Sequence, residues 1–124
     1  MTIQECYEKM GGDYEQVEKR LPSAKLIQKF VIKFLDDGSY NELLESMEKG
    51  QRETAFRAAH TLKGVCGNLS LSRLLNSASK LTELLREERE DIPAEAFQIM
   101  EDVKKDYEST AEVIREYMNS AEKI

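Results

Sequence analysis

The stretch AAHTLKGVCGN, residues 58–68, holds the single histidine of the chain, His60, followed by Lys63 and by glycines at 64 and 67. A neutral imidazole nitrogen is a nucleophile available near physiological pH. An ammonium three residues further along a helix returns to the same side, where a point charge suits an oxyanion such as phosphoryl. Each glycine weakens a helix interior by about 1 kcal/mol relative to alanine. Having no side chains, Gly64 and Gly67 leave the imidazole open to a large approaching partner.

The segment from residue 51 to about 69 is predicted to be one long helix, whose faces can be sorted at about 100° per residue. With Ala55 at zero, Ala59, Leu62, Cys66 and Leu69 fall within about 40° and form the buried stripe. Lys63 lies at about 80°, Gly67 at about 120°, His60 at about 140°, Gly64 at about 180° and Arg57 at about 200°, so this flank should face solvent at or beside a groove. Phe56, one turn before His60, adds an apolar contact on that flank.

The elements that must hold this helix follow from sparse punctuation at GGD (11–13), LPS (21–23), DDGS (36–39), KGQ (49–51) and EDIPAE (90–95). Residues 23–35 read as a core helix with Leu26, Ile27, Phe30, Val31, Phe34 and Leu35 on one broad stripe and Ser23 as its N-cap. A shorter helix starts at a capping box from Ser39 to Glu42, carries Leu43, Leu44 and Met47, and stops at Gly50. Leu71, Leu74, Leu75, Ala78, Leu81 and Leu85 predict a further helix that runs into the charged REERED, expected to be a solvated face or helix end. Pro93 opens a last helix with Ala96, Ile99, Met100, Val103, Tyr107, Ala111, Ile114, Tyr117 and Met118 on its stripe. Strand alternation is absent. The fold expected is all-α, an antiparallel four-helix bundle with additional N-terminal helical segments. One domain spans 1–124, with residues 1–22 as a helical cap that uses Ile3, Cys6, Tyr7, Met10, Tyr14 and Val17, and residues 23–120 as the bundle.

Composition narrows the function classes. A net charge of −6 disfavours general affinity for nucleic acid or anionic lipid. Neither a membrane span nor a signal peptide is visible, so the expected location is the cytoplasm. Cys6 and Cys66 stand in no CxxC pattern, and buried packing rather than a disulfide is expected of them. The methionines and tyrosines fall on core stripes and read as packing. A metal-binding bundle would need an ExxH pattern, yet Arg57 stands three before His60 and no second histidine exists. No GxxxxGK[ST] loop is present to bind ATP.

With AHTLKG, a His-x-x-Lys-Gly core with Leu62 inside it and Leu69 following, the segment resembles the histidine-containing phosphotransfer domains of bacterial multistep two-component signalling. The likeness extends over FLDDGSYNELLESMEKGQRETAFRAAHTLKG and covers roughly residues 26–118. It implies that His60 is phosphorylated, that Lys63 helps neutralise the phosphoryl group, and that Gly64 makes room for a receiver domain. The implied chemistry is transfer from the aspartyl phosphate of a receiver to His60 and on to a response regulator. Such a relay intermediate has no autonomous kinase activity and no cofactor of its own, and magnesium is expected on the partner receiver. Phe56, Arg57, Gly64 and Gly67 are the partner-binding candidates, and the protein is expected to be a monomer. Two positions depart from the family pattern. Ser70 stands where many members have glycine, a change that docking should survive, and Thr82 lies near where some members place a glutamine or glutamate toward the histidine. The competing reading is a helical interaction module that docks partners without phosphotransfer.

Overall fold

The structure, a computed structural model, describes residues 1–86, 88 and 90–120. Among these the chain forms α1 (Ile3–Met10), α2 (Tyr14–Arg20), α3 (Ala24–Lys33), a 3-10 turn (Phe34–Asp36), α4 (Ser39–Glu48), α5 (Arg52–Asn68), α6 (Ser72–Leu85) and α7 (Ala94–Met118). No strand occurs among the described residues.

Local side-chain chemistry starts the early helices. Thr2 and Glu5 close a capping box over the first turn of α1, with each side chain accepting from the other residue's backbone N–H at 3.1 and 3.0 Å. Asp13 caps α2 through the Gln16 N–H, and Ser23 caps α3 through the Leu26 N–H as its sequence position suggests. The expected capping box at Ser39 does not form. Ser39 is already the first residue of α4, and the Asp37 carboxylate accepts from both its backbone N–H and its hydroxyl. An aspartate two residues upstream reaches that N–H directly, so the serine becomes a donor instead of the cap. Gly50, at φ +68°, closes α4 in the left-handed region.

Successive helices pack in chain order, α4 on α5, α5 on α6 and α6 on α7, while α1 lies along α7. The core is filled by the anticipated stripes: Leu74, Ala78, Leu81 and Leu85 of α6, and Ala96, Met100, Val103, Ala111, Ile114 and Tyr117 of α7, are all buried. Leu75, Ile99, Tyr107 and Met118 pack at its edge. The tyrosines also serve packing: Tyr40 stacks on Tyr107, and Tyr7 meets Tyr14 edge-on.

Two expectations change. Only Ile27, Val31 and Phe34 of the 23–35 stripe are buried, whereas Leu26 and Phe30 remain 37% and 38% exposed. The stripe is wider than the surface the bundle can cover, and an apolar groove lined in part by Leu21, Phe30, Phe34, Val65 and Leu69 runs beside it. The helix after residue 70 stops at Leu85 rather than running into REERED. Of that run, Glu87 and Arg89 lie outside the described residues, as do residues 121–124 of the expected domain. Among the described residues no helix is long and apolar enough to cross a membrane.

Candidate functional site

The buried face of α5 is the one its wheel assigns. Ala55, Ala59, Leu62, Cys66 and Leu69 are sealed in the core, together with Ala58. The opposite flank therefore faces out. His60 is exposed and engages no hydrogen bond or ion pair among the described residues. Lys63 is half-buried and likewise has no carboxylate partner among them. A half-buried lysine with its aliphatic stem along the helix keeps its ammonium available at the surface.

The two glycines differ. A methyl group added at Gly64 would meet nothing within 4 Å, so this position is an open clearing beside His60. At Gly67 the same atom would touch the Leu75 side chain at 4.0 Å. Gly67 thus looks toward α6, and its lack of a side chain serves helix–helix approach as much as access to the imidazole.

Phe56 is half-buried, its ring 6.1 Å from the imidazole of His60 with 26° between the planes. Across the α5–α6 pair, the Arg86 guanidinium lies over the Phe56 ring, 5.3 Å from its centroid. Sequence reasoning missed Arg86, because it opens a charge run and nothing in the residue order signals that the end of α6 returns beside residue 56. Arg57 points elsewhere: it is exposed and pairs with Glu53 at 3.1 Å one turn back on its own helix.

The far end of α5 is held by the N-terminal segment. The Arg20 guanidinium donates to the carbonyls of Gly67 and Asn68 at 2.9 and 3.1 Å and to the Ser70 hydroxyl at 2.8 Å. A cation at a helix C-terminus satisfies carbonyls that have no intrahelical partner and complements the negative end of the dipole. The Tyr7 hydroxyl donates to the Leu69 carbonyl, the Asp13 N–H to the Ser70 carbonyl, and the Arg73 N–H to the Gly11 carbonyl. Gly12 lets this strap lie close, since a methyl group there would stand 2.7 Å from Tyr7 and 3.0 Å from the Ser70 carbonyl. Arg20 was also missed, being one of several cations near a helix end.

Ser70 serves the turn rather than the exposed flank. It is 1% exposed and cannot touch a docked partner. Its φ of +54° lies in the left-handed region that favours glycine. What the residue order at 70 controls is the turn from α5 into α6. Thr82 is fully buried, and its hydroxyl donates to the Ala78 carbonyl of its own helix at 2.7 Å, so it is not directed at His60.

Cys66 and Cys6 are free and buried. Burial pushes their thiols up to about 12 and about 11 respectively, which keeps both protonated and unreactive. Among the described residues no group of histidine, cysteine and carboxylate side chains is placed to hold a metal ion.

The bundle thus presents an exposed histidine free of hydrogen bonds among the described residues, a nearby ammonium and a bare patch on one flank of α5. A family model described as Hpt domain matches residues 7–121, and the chain belongs to that family. No curated protein and no solved structure matches it. Hpt domains act in histidine phosphotransfer within phosphorelays, as carriers rather than kinases, and interact with receiver domains.

Proposed function

We propose that His60 accepts a phosphoryl group from the aspartyl phosphate of a receiver domain and passes it to a response regulator. The observation that carries this reading is the imidazole of His60, exposed and free of hydrogen bonds among the described residues, with Lys63 and the clearing at Gly64 on the same helix. A ring nitrogen attacks phosphorus as the bond from phosphorus to the aspartyl oxygen breaks, and the aspartate leaves as a carboxylate. The second transfer reverses these roles, with a receiver aspartate attacking the phosphohistidine. Because such transfer depends on in-line positioning and charge neutralisation, Lys63 supplies positive charge at the phosphoryl oxygens, and the receiver brings the aspartate and its magnesium.

Phe56, Gly64 and the edge of Gly67 form the docking face, with Arg57 at its margin. The protein acts as a monomer whose helices bury their own core, and in the cytoplasm, where it meets receivers and their kinases.

The test is incubation with a phosphorylated receiver, followed by acid and base treatment. The expected label is acid-labile and base-stable and vanishes in His60→Gln. Persistence of the label in that variant would remove His60 from the reaction, and docking without any transfer would favour the interaction-module reading.

A further inference from the structure

We infer that Arg86, acting through Phe56, is a positioning residue that sets the orientation of the His60 imidazole. This rests on the reading that His60 is the phosphoryl acceptor. An exposed imidazole with no hydrogen-bond partner among the described residues would otherwise sample several rotamers, and in-line attack needs one of them. The Phe56 ring lies 6.1 Å from the imidazole at an interplanar angle of 26°, within the range where aromatic rings pack against one another. Over that ring stands the Arg86 guanidinium, 5.3 Å from the centroid, where a cation is attracted to the π-face.

The cation is itself held in place. The Glu83 carboxylate accepts from its guanidinium at 3.1 Å, and the preceding residue is tied to α5, where the Arg52 guanidinium donates to the Leu85 carbonyl at 2.6 Å. The order is therefore an anchored helix end, a cation, a ring and the imidazole. Through this series the junction of α5 and α6 acts on the nucleophile, with the Phe56 ring standing between Arg86 and the imidazole. With Arg86 on its face, Phe56 loses rotamers, and His60 gains a fixed neighbour.

The experiment combines kinetics with a spectroscopic readout on the full chain. Imidazole proton signals of His60 in the free protein report the ring current of Phe56 and need no phosphotransfer. In Arg86→Gln these signals should move toward their positions in Phe56→Leu, with the helical circular dichroism unchanged, and Arg86→Lys should restore them in part. Transfer from a phosphorylated receiver should slow about threefold in Arg86→Gln, the size of an exposed cation–π contact. In a Phe56→Leu background the same substitution should slow it no further. Additive slowing, or His60 signals unmoved by Arg86→Gln, overturns the inference. Absence of transfer by the unaltered protein would instead defeat the relay reading, and the imidazole signals would still decide the role of Arg86.

Discussion

The phenolic hydroxyl of Tyr7 donates to the Leu69 carbonyl at 2.7 Å, joining α1 to the residue that closes the helix bearing His60. Both residues are buried, so water cannot replace the bond. Tyr7→Phe keeps the ring and removes the donor, and should cost about 1–3 kcal/mol, the penalty of a buried carbonyl left unsatisfied. Urea unfolding would show a lower midpoint with an unchanged slope.

At Gly64, stability and transfer should part. Open space over its α-carbon lets Gly64→Ala gain about 0.5–1 kcal/mol of helix stability. Gly64→Leu should also fold more stably yet block transfer, because its side chain fills the clearing where the receiver approaches. Thermal unfolding and transfer rates measured on both variants check this, and unimpaired transfer by the leucine variant would refute the steric role.

Lys63→Ala removes charge without lowering helix propensity. The expected outcome is a normally folded protein with slower transfer or a shorter-lived phosphohistidine, followed by time-resolved loss of label. Unchanged rates and lifetime would take Lys63 out of the mechanism.

Ser70 sits at φ +54°, where a side chain is strained, and its hydroxyl accepts from Arg20. Ser70→Ala keeps the strain and loses the bond, whereas Ser70→Gly relieves the strain. The glycine variant should therefore be more stable than the alanine variant by about 1 kcal/mol, the reverse of their order within a helix. Paired denaturation curves give the comparison.

Alkaline pH should weaken the fold. Burial raises the Cys66 and Cys6 thiols to about 12 and about 11 and the Tyr40 phenol to about 12. Once pH passes the ordinary thiol range, the unfolded chain has released protons that the folded chain retains. The unfolded state then binds fewer protons, and stability falls with rising pH. Urea midpoints should be level below about pH 8 and decline from there toward about pH 12. The decline should be shallower in Cys66→Ala.

The face assignment of α5 was legible because apolar periodicity reports burial directly: Ala55, Ala59, Leu62 and Cys66 had to point inward, and His60 had to point out. Alternation of polar and apolar residues says less about how far a stripe is covered, hence Leu26 and Phe30 stand exposed on a helix whose pattern matches a core. Arg86 and Arg20 were illegible for a different reason. Each acts on α5 from another helix, and a cation's target depends on tertiary approach rather than on its neighbours in sequence. Ser39 shows the local version of the same limit, since two acceptors stood near one helix start and the sequence pattern named Ser39 where Asp37 takes the role.

The strap from α1 and α2 to the α5–α6 turn bears on where a working unit can be cut. A fragment starting at Ala24 would keep His60, Lys63, the glycines and every long helix, and would look complete by its motif. It would lack Tyr7, Asp13 and Arg20, and with them the donors to the carbonyls of Gly67, Asn68, Leu69 and Ser70. Fusions or shuffled relay proteins made from this chain should accordingly be joined ahead of Thr2, whose cap starts the strap, instead of at the bundle's apparent edge.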